Sequence, residues 1–201
     1  MIIDYNCTFK HYSEIQKKAM EDGFVTWDYQ CPKCLAQKQL HYHSSYDRNV
    51  LILEEDGLQL CAVQIIRLVC ESCGCTHAIL FAEAIPFWQM TVQAVFFLLS
   101  MPIVDNQAFQ PVKASRATEV SYQLLGRYLI ILQGHYDQLV LLLRSMALWQ
   151  ETKNPTLQDV VIIARSGAPP FPQKEFFTQN QSPLFLHRRS TVSYPLRIGG
   201  S

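Results

Sequence analysis

Hydrophobic and polar positions alternate along residues 31–85 in the manner of strands, most clearly over Val50–Leu53, Leu58–Val69 and His77–Ala82. Between the first two runs, Glu55-Asp56-Gly57 reads as a hairpin turn. Upstream, Met1–Tyr5 is a short apolar strand candidate, and His11–Glu21 a short polar helix ended by Gly23. Beyond Pro86 the period lengthens. Phe87–Met101 predicts a buried helix stopped by Pro102. Ser115 is placed to cap a long helix reaching about Gln133, because Val120, Leu124, Tyr128 and Ile131 recur at helical spacing. Gly134 and His135 interrupt it, and Tyr136–Trp149 resumes the pattern. A further helix begins at Pro155, capped by Asn154 or Thr156, and ends near Ser166-Gly167.

The predicted fold is α+β: a β-rich N-terminal segment over 1–85, a helical domain over 86–166, and an extended Pro/Phe-rich arm over 167–201. The arm carries Phe171, Phe176, Phe177, Leu184, Phe185 and Leu186, too apolar a set to float free, and is expected to cover the domain or a partner.

Composition sharpens this picture. With 49% hydrophobic residues the chain can bury a core, while only 17% are charged. Formal net charge is zero, but residues 1–85 carry seven Lys and Arg against eleven Asp and Glu. Residues 86–150 carry four against three, and 151–201 six against three. A phosphate-binding face is therefore not expected across the acidic first segment. The longest apolar run, Ala94–Leu99, is far below the ~20 residues of a membrane span. Met1-Ile2-Ile3-Asp4 has no export signature, so the expected setting is cytoplasmic, without a membrane partner. Seven cysteines in such a setting favour metal binding over disulfides.

Four of them form two C-x-x-C knuckles, Cys31-Pro32-Lys33-Cys34 and Cys70-Glu71-Ser72-Cys73. A two-residue spacer turns the backbone tightly enough for both sulfurs to reach one tetrahedral ion. One pair alone fits a redox motif equally well; two pairs flanking strand-like sequence predict one structural Zn2+ in a ribbon. Four thiolates leave no open position, so the ion is expected to hold the fold and not to activate water. Cys75 and His77 lie close enough to compete as ligands; Cys75 is read as a spare thiol. His41 and His43 are read as strand-surface residues, and Cys7 and Cys61 as small buried hydrophobes.

The order Cys31-Pro32-x-Cys34, Tyr46-Asp47-Arg48, Arg67-x-x-Cys70-x-x-Cys73, Thr76-His77, Pro86-Phe87 resembles a bacterial zinc-ribbon family of unknown function. It is also similar to the N-terminal zinc ribbon of insertion-sequence transposases, which a helix-turn-helix follows. The resemblance covers about residues 30–100 well and 100–135 loosely. It implies binding to double-stranded DNA in a mobile-element setting. Departures are the acidic hairpin tip, Glu54-Glu55-Asp56, and the want of a nuclease core: past residue 135 the carboxylates are Asp137, Glu151, Asp159 and Glu175.

In a helix-turn-helix, Phe87–Met101, a short element near Asn106–Gln110 and the helix from Ser115 would form three helices, the last entering a major groove. Candidate DNA contacts are then Lys113, Ser115, Arg116, Thr118 and Gln123, with Arg48 from the ribbon. Arg188, Arg189 and Arg197 are phosphate contacts or solvated charges. No nucleophile–base pair, phosphate loop or paired carboxylates suggest an enzyme. Two functional classes remain: a non-catalytic zinc-ribbon DNA-binding protein, or a zinc-stabilised adaptor docking through its apolar helices and arm.

Overall fold

A computed structural model describes the chain except residues 6, 22–28, 106, 108–111, 116–117, 167–171, 181–183 and 186–201; the side chains of residues 15, 18–21, 112–115, 118–119, 173 and 177–178 are likewise not described. The described residues are mixed α and β. They fall into two compact units, one of Met1–Arg48 with Ala62–Pro86, the other of Asn49–Cys61 with Phe87–His187.

A four-stranded sheet runs in the order β1 (Ile2–Asp4), β4 (Thr76–Phe81), β3 (Gly57–Cys70), β2 (Leu40–Glu54). β1 lies parallel to β4, Ile3 opposite Leu80, and β3 runs antiparallel to β4, Leu68 opposite His77. β2 is much longer than its apolar stretch predicts. Its polar first half, His41 to Asn49, is exposed or half-buried, which an edge strand tolerates because its outer side needs no apolar partner. Gly57, at φ +111°, closes the turn between β2 and β3 in a conformation that side chains resist.

Helix α1 (Phe9–Glu21) brings Tyr12 into the core of the first unit. The Tyr12 hydroxyl donates to the Ile79 carbonyl at 2.8 Å and accepts from the Ile66 N–H at 3.2 Å, joining β4 to β3. Phe9 and Tyr12 both meet the Phe81 ring, at 5.3 and 5.5 Å between centroids. Tyr29 donates to the buried Asp4 carboxylate at 2.5 Å, tying the chain before the first knuckle to β1.

In the second unit, α2 (Val92–Ile103) starts later than its hydrophobicity predicts. Residues 89–91 bond to the hairpin instead: the Leu51 N–H donates to the Gln89 carbonyl, and the Thr91 N–H to the Leu51 carbonyl. Thr91 then caps the helix. Pro102 does not stop it but sits in its last turn, where the N–H it lacks costs a single bond.

The long helix predicted from Ser115 is corrected. Val112–Ser115 (β5) and Thr118–Val120 (β6) form an antiparallel pair, with Lys113 opposite Glu119 and Ser115 opposite Thr118. The helix, α3 (Tyr122–Gly134), begins six residues later than expected, capped by Ser121, whose hydroxyl accepts from the Leu124 N–H. Both serines are competent caps, and the apolar spacing from Leu124 onward cannot choose between them.

α4 (Tyr136–Ser145) and α5 (Leu157–Arg165) follow. Thr156 and Asp159 form a reciprocal capping box at the start of α5. The arm expected to be extended contains α6 (Gln173–Asn180), and the fully buried Phe176 lies edge-on to His135 at 5.5 Å. Phe185 is also buried, edge-on to Phe96 and Tyr128 at 5.5 and 5.3 Å, so this part of the arm belongs to the core of its own unit. Phe171, Phe177 and Leu186 lie outside what is described at the side-chain level. No helix among the described residues is long and apolar enough to cross a membrane.

Candidate metal centre

The two knuckles have the same backbone. In the first, the Leu35 N–H donates to the Cys31 carbonyl and the Cys31 N–H to the Ala36 carbonyl, each at 2.9 Å. In the second, the Gly74 N–H donates to the Cys70 carbonyl at 2.8 Å and the Cys70 N–H to the Cys75 carbonyl at 2.9 Å. The residue after each second cysteine is left-handed, Leu35 at φ +62° and Gly74 at φ +67°. Sulfur contacts match as well: the Ala36 N–H reaches Cys34, and the Cys75 N–H reaches Cys73. Two loops remote in sequence thus build two copies of one half-site.

The copies face each other. The Sγ of Cys31 lies 3.7 Å from that of Cys73, and the Sγ of Cys34 lies 3.6 Å from that of Cys70. All four Sγ atoms lie within 4.8 Å of one another. A tetrahedral ion at ~2.3 Å from each sulfur requires edges of about 3.8 Å. All four are free thiols, with Cys31 and Cys70 fully buried and Cys34 exposed. The cluster could therefore hold one metal ion, as the spacing of the knuckles predicts.

The electrostatics are those of thiols competing for few protons. Burial raises the Cys70 thiol, but the N–H of Cys73, the thiols of Cys34 and Cys31 and the N–H of Ser72 together bring it down to about 7. At Cys73 the Cys75 N–H pulls downward, while burial and the other three thiols outweigh it and push the group up to about 12. A cation brought among thiols favours their deprotonated form, which makes metal capture proton-releasing.

Two neighbours complete the site. His77 is buried on β4, with its Nε2 3.4 Å from the Cys31 Sγ and its Nδ1 3.2 Å from the Met1 amine. Burial, with the Met1 ammonium and Lys33 nearby, pulls its imidazolium down to about 4, so the ring is neutral near pH 7. It touches a cluster cysteine and is not one of the four clustered groups. Lys33 reaches across from the first knuckle to hydrogen-bond Cys75, which raises the Lys33 ammonium. The sequence offered His77 only as a competing ligand, and nothing in the spacing signalled Lys33 and Cys75 as partners.

Other motif residues serve the same unit. Arg67 donates to the Thr76 hydroxyl at 3.1 Å across the β3–β4 pair. Arg48 bonds Tyr46 and donates to the Ile85 carbonyl at 3.4 Å. His41 pairs with Glu71 at 3.1 Å beside the second knuckle.

The residues predicted to contact DNA do not gather on one helix. Lys113 and Ser115 lie on β5, Thr118 on β6, and Gln123 in the first turn of α3, where its amide donates to the Tyr122 hydroxyl. Arg48 belongs to the first unit, and Arg116, like Arg188, Arg189 and Arg197, lies outside the described residues. No family model, no curated protein and no solved structure matches the chain.

Proposed function

We propose that this chain is a non-catalytic DNA-binding protein whose first unit is held by one structural zinc ion. The observation that carries the zinc reading is the pair of equivalent knuckles, which bring four sulfurs within 4.8 Å of one another with two facing pairs at 3.6 and 3.7 Å. Zn2+ suits an all-thiolate tetrahedral set better than the oxygen-preferring ions do. A closed thiolate shell leaves no place for a reactive water, so the ion is structural in this reading.

DNA as the partner is supported by the resemblance of the knuckles and the Tyr-x-Arg, Arg-x-x-Cys and Thr-His motifs to transposase ribbons. It is also supported by the place of Lys113, Ser115 and Thr118. A two-stranded antiparallel ribbon fits a major groove as a helix does, and here the ribbon leads directly into a capped helix bearing Gln123. The surplus of positive charge beyond residue 86 fits the same assignment.

A second reading, a zinc-stabilised adaptor, is favoured by large apolar side chains left exposed on the helices: Tyr122, Ile130, Leu141 and Ile162. Titration of the zinc-loaded chain with random duplex at several salt concentrations separates the two. DNA binding requires that the logarithm of the affinity fall linearly with log salt, and Lys113→Ala should lower the magnitude of that slope by about one. No affinity for duplex at low salt, where the electrostatic contribution is largest, rules DNA out and leaves the adaptor.

A further inference from the structure

The Thr-His motif is not used up by the four-sulfur cluster. His77 is held on β4 opposite Leu68 of β3, buried, with Nε2 directed at Cys31. A metal-bound thiolate carries no proton, so at this contact the imidazole must donate and the sulfur accept. The ring is then the Nε2–H tautomer, and its Nδ1 lone pair faces the Met1 amine, 3.2 Å away, which has hydrogens to give. Both ring nitrogens have partners of matching sense. The backbone beneath is braced by Arg67, which spans from β3 to the Thr76 hydroxyl one residue before the histidine.

We propose that His77 is a positioning residue of the metal centre, donating Nε2–H to the Cys31 thiolate without entering the coordination sphere. This rests on the zinc reading above. Four thiolates around a divalent ion carry a net charge of about −2, and a hydrogen bond to one sulfur disperses part of it. The contact also fixes Cys31, the buried sulfur of the first knuckle, through the strand that follows the second knuckle. Sheet and metal centre are thereby joined by one side chain.

The test uses the full chain loaded with Co2+ as a spectroscopic stand-in for zinc, followed by competition with a chelator. The wild-type protein, His77→Gln and His77→Leu should all bind one Co2+ with the intense absorption of a tetrahedral four-thiolate site. His77→Leu should hold it about 10- to 100-fold more weakly, the usual effect of losing an outer-shell partner. His77→Gln places an amide N–H near the lost Nε2–H and should recover most of that difference. If His77→Leu does not fold with metal, His77→Met, flexible and without a donor, supplies the comparison. Wild-type affinity in the non-donor variants overturns the proposal, as does a change of ligand-field bands, which would make His77 a ligand. If the wild-type chain takes up no Co2+, or Cys31→Ser binds it unchanged, the zinc reading itself has failed.

Discussion

Leu35 and Gly74 occupy the same place in two copies of one loop, yet only glycine adopts that backbone without strain. Leu35 is 62% exposed, so little burial offsets its left-handed conformation, which costs about 1–2 kcal/mol for a residue with a Cβ. Leu35→Gly should therefore raise the melting temperature of the metal-loaded protein; a lower value would mean that the leucine side chain contributes contacts outweighing the strain. Cys75 poses the opposite question, a thiol beside the cluster but outside it. Cys75→Ser should keep about one equivalent of zinc by elemental analysis, whereas Cys31→Ser should lose it together with the fold of the first unit. Zinc loss in Cys75→Ser would reassign the ligands. At this scale the four clustered cysteines were legible, because a C-x-x-C spacer is a local geometric constraint. The contact of His77 with Cys31 was not, because the two lie 46 positions apart.

Element boundaries divide along the same line. The cap of α5 was only partly readable: a start at Pro155 left Asn154 and Thr156 open, and the structure starts the helix at Leu157 with Thr156 as cap, both hydrogen bonds of its box with Asp159 being formed. Thr156→Ala should destabilise the second unit by about 1 kcal/mol, as measured by denaturant unfolding. The box also carries a pH signature. Bonds from the Thr156 hydroxyl and N–H hold the Asp159 carboxyl below its ordinary value. Its contribution is thus complete above the ordinary aspartate range and lost as pH falls through the lowered folded-state value. In Asp159→Asn that part of the acid destabilisation should disappear; an unchanged acid limb would show the box to be irrelevant to it. The start of α3 was misplaced because Ser115 and Ser121 offer equal capping chemistry, and strand pairing decided between them. α2 was drawn too long at its start for a related reason, since hydrogen bonds to Leu51 lie 38 or more residues back along the chain. Local chemistry alone did not settle these boundaries: Pro102 lies inside the helix it was expected to stop, and pairing of β5 with β6 and the bonds to Leu51 set where α3 and α2 begin.

Across the whole molecule, the acidic hairpin tip Glu54-Glu55-Asp56 falls in the second unit, so the charge difference between the two halves of the sequence does not carry over to the two units. Chelating the metal should unfold the first unit, followed by near-ultraviolet circular dichroism of its tyrosines, while leaving most of the helical signal in the far ultraviolet. Loss of both signals together would show that the units share one cooperative transition. The two equivalent knuckles also have a meaning for how the chain assembles. Facing sulfurs are separated by 36 and 42 residues, so a metal ion held between them would act as a removable cross-link around a long loop. Closing a loop of that size costs the unfolded chain about 4 kcal/mol of entropy. Zipping β2 onto β3 from the turn at Gly57 meets that cost one residue pair at a time, and brings Glu71 to hydrogen-bond Gln39 at the base. Each half-site is closed by local hydrogen bonds, whereas the two meet only across the β2–β3 hairpin, so a metal ion held by all four sulfurs would bind only a chain whose hairpin has closed.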